Sequence, residues 1–259
     1  MKKRASSAGS TPGSRSIRER AYLLIQQKIA RGELSPGTAV SEIALAKELG
    51  SSRTPIREAL GQLVAEGLLE QTPNRGAVVV QLKRQDIIDL YELREALEVY
   101  AVGKVAQKTN SEQEIARLNT LVEDISTLEK ELVASRKAEL DEQQMQRFIA
   151  CDLGFHALLV RMSSNARILK LVQETRLLIR IFAIHRRGHN AEMLRKIHDQ
   201  HSDMLRAVID RNPKRAMQLL STHIQTSLQE RLEDFDTWEH EAALRSSFPV
   251  FFDVHPASE

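Results

Sequence analysis

Asp152 and His156 stand four residues apart, a spacing that stacks both side chains on one face of a helix. Phe148, Phe155 and Leu159 lie beside them, so two ligating groups interrupt an apolar stripe. Carboxylate and imidazole are costly in such a place unless something satisfies them. Two later stretches repeat the pattern. His201 falls on the line Leu194, Ile197, His201, Leu205, Val208, and His223 on the line Ala216, Leu220, His223, Ser227. One aspartate and three histidines from three segments suit a divalent ion, Zn²⁺ or Ni²⁺ first and Mn²⁺ or Fe²⁺ as alternatives. A lone inward histidine is more often a hydrogen-bonded core residue, so the set, and no single member, points to metal. His198 is the nearest substitute ligand; His185, His189 and His240 read as surface or loop residues.

A second chemistry gathers at Ser52, Arg53, Thr54 and Arg57. Two arginines and two hydroxyls in the first turn of a helix suit the major groove of DNA. Arginine forks onto guanine O6 and N7, while hydroxyls and free N–H groups reach phosphate. The preceding residues supply the support. Ala44 to Leu49 form a short helix, Gly50 ends it in a left-handed turn, and the Ser51 or Ser52 hydroxyl is placed to cap the next helix. Ile56, Leu60, Leu63 and Val64 give that helix its inward face, and Ala46 is small where two helices cross. The result is a helix-turn-helix over about 42–61. Beyond it, residues 68–71 and 77–80 flank a turn over 72–76, a β-hairpin wing with Arg75 at its tip and Gly76 allowing close backbone approach.

The elements that must carry these groups follow from where helix breakers fall. Gly and Pro cluster between Gly32 and Gly76, then nearly vanish: Gly103, Gly154, Gly188 and Pro213 are the only ones before Pro249. The breaker-poor stretch is predicted to form helices near 84–109, 111–138, 141–162, 166–187, 190–211 and 213–235. On the first of these, Arg94 shares a face with Leu90 and Leu97 and points inward. There it needs an anion, either a neighbouring glutamate or the carboxylate of a ligand. Asn165, after Ser163 and Ser164, is placed to cap the following helix. Residues 1–14 are small, polar and basic, a disordered tail; residues 236–259, with Trp238, Phe248, Phe251 and Phe252, form a C-terminal tail.

Charge divides the chain the same way. Residues 1–83 hold 13 Lys/Arg against 7 Asp/Glu, and residues 84–259 hold 24 against 28. The basic part is the one suited to a polyanion. A single cysteine, Cys151, excludes a disulfide framework and fits a reducing compartment. No apolar run approaches the ~18 residues of a membrane span, and no signal-peptide core follows the basic N-terminus. A soluble, cytoplasmic protein is expected.

The motifs have a recognisable family. Leu34-Ser35-Pro36-Gly37, Leu45-Ala46, Leu49-Gly50, Ser52 to Leu60, Glu66-Gly67-Leu68 and Arg75-Gly76-Ala77 together resemble the winged helix of GntR-superfamily transcription factors, over about residues 17–80. The resemblance implies that Arg53, Thr54, Arg57 and Gly76 carry much of the operator contact. Some FadR-type members have a basic residue near Ile43, which this chain lacks. The rear half resembles the FCD ligand-binding domain of the FadR subfamily, through Leu90 to Arg94, Leu97-Glu98, Asp152, Phe155-His156, Asn165, His201, Asp210, Ala216 and His223, over about 84–232. That likeness implies that Asp152, His156, His201 and His223 hold the metal, and that Arg94 and Asn165 approach an effector bound as a carboxylate.

The expected protein is mainly α. An N-terminal winged helix-turn-helix with a small β-hairpin wing (15–82) precedes an all-α helical-bundle FCD domain (84–235). It is expected to be a non-enzymatic, metabolite-responsive regulator, most relatives being repressors. It is expected to work as a homodimer on double-stranded DNA with a palindromic operator, with a small carboxylate as effector and no membrane partner. Three rivals stand beside it: a regulator for which the metal is itself the signal, a metal-dependent enzyme fused to a DNA-binding head, and a helical half that serves only to dimerise.

Overall fold

The computed structural model describes residues 15–30, 33–73, 75–81, 83–181 and 188–247. The proposed tail over 1–14, together with His185, Phe248, Phe251 and Phe252, lies outside the described residues. The chain divides into two compact units, 1–81 and 82–259.

In the first unit α1 (Ile17–Ala30), α2 (Glu42–Leu49) and α3 (Arg53–Ala65) precede the strands β1 (Leu69–Thr72) and β2 (Gly76–Val79). Ala21, Ile25 and Ile29 of α1 meet Ile56, Ala59 and Leu63 of α3 in a core from which water is excluded. The Ser41 hydroxyl caps α2 by accepting from Ala44 N–H at 3.2 Å. Gly50 ends α2 at φ +61°, where a Cβ would be strained, and turns the chain directly into α3. Ser52 occupies the N-cap position of α3, but its hydroxyl makes no cap bond, and the Ser51 hydroxyl turns to the Ser52 carbonyl instead. The expected serine cap of α3 is therefore absent. The first-turn N–H groups of α3 have no hydroxyl closing them off. The strands pair antiparallel in the register Leu69–Val79 to Thr72–Gly76, and Ala39 bridges the outer side of β2 at Val78.

The second unit comprises α4 (Arg84–Ala106), α5 (Glu112–Ser135), α6 (Glu142–Met162), α7 (Ala166–Ile181), α8 (Ala191–Ile209) and α9 (Pro213–Ser247). Its helix starts are well specified. Ser111 with Glu114, and Asp141 with Gln144, form reciprocal capping boxes, and Asn190 caps α8. Pro213 opens α9, where a missing N–H costs nothing. Tyr91, Val102 and Val105 of α4, Leu118 and Val122 of α5, Phe155 and Leu159 of α6, Met204 and Val208 of α8, and Leu220 and Ile224 of α9 share one apolar core. Helix α9 departs from expectation by continuing past residue 235 to Ser247. No breaker intervenes before Pro249. Trp238 packs against Phe235, ring centres 5.9 Å apart, and Asp236 is held by Arg84 Nε at 3.0 Å.

Candidate functional site

In the first unit, Ser52, Arg53, Thr54 and Arg57 all lie on the exposed side of α3, opposite buried Ile56, Ala59 and Leu60. Arg75 and Gly76 are exposed at the wing, where Gly76 has φ +74°. Arg53 and Arg57 are not free. Arg53 Nη2 reaches Glu42 Oε2 at 2.7 Å, and Arg57 Nε reaches the same oxygen at 2.9 Å. The Arg53 hydrogen bonds, joined by those of Arg57, hold the Glu42 carboxyl below its usual range. Glu42, in the first turn of α2, thus gathers both guanidiniums on the exposed surface of α3. Sequence reasoning missed this residue, because an acidic residue eleven positions before Arg53 gives no signal until the turn at Gly50 folds one helix back on the other.

In the second unit, α6, α8 and α9 bring Asp152, His156, His201 and His223 together. One ligand atom from each lies within 4.8 Å of all the others. The imidazoles are buried, while the Asp152 side chain keeps 24% of its surface exposed. His156 Nδ1 meets Glu98 Oε2 at 2.8 Å, and His223 Nδ1 meets Gln200 Oε1 at 2.8 Å. Acceptors on both Nδ1 atoms fix these rings as Nδ1–H tautomers and leave each Nε2 lone pair for another partner. His156 Nε2 and His201 Nε2 each lie 3.7 Å from Asp152 Oδ1. Among the described residues, His156 Nε2 and both His201 nitrogens are buried and find no hydrogen-bond partner. Each orphaned polar group of this kind costs roughly 1–3 kcal/mol, and a metal ion among them would satisfy the Nε2 atoms together.

The electrostatics favour the ligating protonation states. Burial pushes His156 down to about 4 and His201 to about 3, and burial also drives His223 well below its ordinary value. All three are neutral at pH 7, as metal ligation requires. Burial alone would raise the Asp152 carboxyl, but His156 and His201, which gain charge only in acid, together with the Arg176 and Arg94 guanidiniums hold it well below its ordinary value. At pH 7 the two guanidiniums face an ionised Asp152. His198 belongs elsewhere: it bonds its neighbour Asp199 at 3.0 Å and is partly exposed. His240 is exposed as expected. His189 lies in the loop before α8, as one of its two readings had it, but is not at the surface: it is 1% exposed and packs edge-on to Phe148, ring centres 4.4 Å apart.

Arg94 is buried and inward, and its Nε donates to Glu98 Oε1 at 3.0 Å. Glu98 also receives Arg176 Nε at 2.7 Å and Nη2 at 3.0 Å. Burial opposes its charge, yet Arg176, Arg94 and His156 hold the Glu98 carboxyl well below the ordinary value. The neighbouring glutamate is thus an anion that Arg94 meets, through Nε. In the sequence Glu98 stands out only beside Leu97, and Arg176 carries no signal. Arg176 lies on α7, 78 positions from Glu98, and only the packing of α7 on α4 joins them. Asn165 caps α7, its Oδ1 accepting from the N–H groups of Arg167 and Ile168, both at 3.1 Å.

Residues 17–79 match the family described as "Bacterial regulatory proteins, gntR family", and residues 89–226 match the "FCD domain". The chain belongs to the GntR family. Members of this family bind DNA as transcription regulators, and this GntR-family chain pairs the DNA-binding half with an FCD domain. It is 36% identical over 200 residues to the Nta operon transcriptional regulator of Aminobacter aminovorans, covering 76% of this chain and 86% of that one. It is 30% identical to the gluconate operon transcriptional repressor of Bacillus licheniformis, covering 77% of each. The fold is that of E. coli McbR/YncC, with a TM-score of 0.67 at 19% identity over 86% of this chain and 100% of that one. These relatives are regulators and not enzymes, which removes the enzymatic rival. Among the described residues, no helix is long and apolar enough to cross a membrane.

Proposed function

We propose that this GntR-family regulator is a metabolite-responsive repressor, working in the cytoplasm as a homodimer on a palindromic operator. In this reading residues 15–82 read the DNA, with Ser52, Arg53, Thr54, Arg57, Arg75 and Gly76 at the contact. Residues 84–235 form the sensor. Asp152, His156, His201 and His223 hold a divalent ion, Zn²⁺ or Ni²⁺ ahead of Mn²⁺ or Fe²⁺. The ion supplies a Lewis-acidic anchor on which a small carboxylate rests, with Arg94 and Asn165 beside it. The observation that supports this most is the convergence of four ligand atoms within 4.8 Å, two of the rings held from behind by Glu98 and Gln200.

Regulation requires that the effector bind one arrangement of the chain better than another, and operator affinity then changes by the same linkage. The test is fluorescence anisotropy with operator fragments selected from a DNA pool, read for metal-loaded and chelated protein with and without small carboxylates. A carboxylate that weakens operator binding only in the metal-loaded protein supports the proposal. One observation favours the rival in which the metal is itself the signal: Arg94 already has an internal partner in Glu98. Operator binding that follows metal concentration and ignores every carboxylate would decide for that rival.

A further inference from the structure

We propose that Ile43 reads thymine. Its side chain packs on the C5-methyl group of a thymine in the major groove that α3 enters; this rests on the DNA-reading role proposed above for α3. The starting observation is an apolar side chain standing in water. Ile43 is 66% exposed, and among the described residues it is the only exposed large hydrophobic of the first unit, the others, from Leu93 to Leu244, all belonging to the second. A single exposed apolar side chain is ordinary on a protein surface, so its place and its neighbours carry the argument.

Its place is the first turn of α2, directly after Glu42. Glu42 holds Arg53 Nη2 at 2.7 Å and Arg57 Nε at 2.9 Å, which ties this turn of α2 to the start of α3. Buried Leu45 and Ala46 anchor α2 from behind, and the left-handed Gly50 sets its short connection to α3. Ile43 therefore stands at the edge of the surface that Arg53, Thr54 and Arg57 present. Neither helix nor core accounts for an isoleucine there. It is a poorer helix former than alanine, leucine or lysine, and at 66% exposure it adds little to packing. Lys47, one turn further along and also exposed, keeps a cation beside it, which suits a polyanion better than an apolar protein surface.

The chemistry of the groove supplies the match. Every base pair shows hydrogen-bonding groups there, and the prominent apolar group among them is the thymine methyl. Arg53, Arg57 and the hydroxyls of Ser52 and Thr54 answer the polar groups. Ile43 answers the methyl, since bringing the two together takes apolar surface of both out of water. The contact is available only where thymine stands at that position, so it adds sequence preference that the arginines alone do not supply.

The experiment uses operators that the full-length protein selects from a random DNA pool. Each thymine of a selected operator is replaced in turn by deoxyuridine, which removes the methyl and keeps the base pair. Affinities are read by anisotropy for the wild type, Ile43→Ala, Ile43→Val and Thr54→Ser, with melting midpoints recorded for each. The expected result is at least one thymine whose methyl is worth about three- to fivefold in wild-type affinity. Ile43→Ala should bind the thymine and deoxyuridine operators alike, Ile43→Val should keep the preference, and both should melt like the wild type. The inference is overturned if no thymine methyl matters, if the preference persists in Ile43→Ala, or if Thr54→Ser alone abolishes it. The α3 reading survives each of those results as long as Arg57→Ala weakens operator binding. If Arg57→Ala leaves operator affinity unchanged, the α3 reading falls and the inference falls with it.

Discussion

Glu98 and Glu42 are single carboxylates that each organise two arginines, one in each half of the chain. Glu98 binds Arg94, Arg176 and His156 in a buried setting. Replacing it as Glu98→Gln leaves two buried guanidiniums facing a neutral amide. We expect a loss of about 3–5 kcal/mol in denaturant unfolding and metal affinity weakened roughly 10–100-fold, through the loosened His156 ring. Glu42 holds Arg53 and Arg57 at the surface, so in the DNA-reading role proposed for them the ion pairs open before either arginine reaches a base. Arg57→Ala should weaken operator binding, each base-reading arginine being worth about 1–3 kcal/mol, with metal content unchanged. Unchanged operator affinity in anisotropy would count against α3 as the recognition helix. Glu42→Gln should instead tighten binding to DNA of random sequence and narrow the ratio between operator and random DNA. At this scale the sequence showed which residue types ligate and which read DNA. It could not show Glu98 or Glu42 as hubs, since their partners lie on other helices. The inward arginine was legible from the face it shares with Leu90 and Leu97, whereas the Glu98 that it shares with Arg176 was not, because α7 delivers Arg176 from far along the chain.

Helices place the site, and their positions were readable because breakers are so few after Gly76. The apolar lines through Leu194, Ile197 and Leu205 on α8, and through Ala216 and Leu220 on α9, are buried as their spacing required. That is why His201 and His223 could be assigned inward from periodicity alone. The end of α9 was missed because Phe235, Asp236 and Trp238 look like a polar and aromatic tail until their contacts are known. Asn165 caps α7 and is proposed to approach the effector, and substitutions separate the two roles. Asn165→Ala removes the α7 cap and should cost about 0.5–2 kcal/mol in thermal or denaturant unfolding. Asn165→Asp retains a cap oxygen and loses the amide N–H₂. It should therefore unfold like the wild type yet respond more weakly to carboxylate in the melting shift, if the amide faces the effector. An Asp variant with an undiminished carboxylate response would leave Asn165 as a cap only.

Across the whole chain, the buried histidines tie stability to pH. His156 and His201 titrate near 4 and 3 in the folded state against an ordinary 6.5, so between about pH 6.5 and 4 the unfolded chain takes up protons that the folded chain refuses. Folding stability is full above that window and falls as the pH drops through it. Each histidine contributes at most about 1.4 kcal/mol per pH unit. Metal-free protein should therefore show a denaturant midpoint that declines steadily from pH 7 to 4.5, and a flat profile would contradict the buried, neutral assignment. Glu98 is held well below its ordinary 4.5 and adds to the same trend only at the acid end of the range. The division of labour between a basic, breaker-rich front and a helical rear was visible in the sequence. The closure of three helices on one point was only implied by it. That closure is the claim on which the sensor rests, and the metal content of the purified chain tests it most directly. Full-length protein and its His201→Ala variant would be stripped, reloaded with zinc or nickel, desalted and analysed by mass spectrometry. One ion per wild-type chain and a raised melting midpoint on loading are expected, and neither in the variant. A folded wild type that retains no ion and melts unchanged, or a variant that loads as well as the wild type, would contradict it.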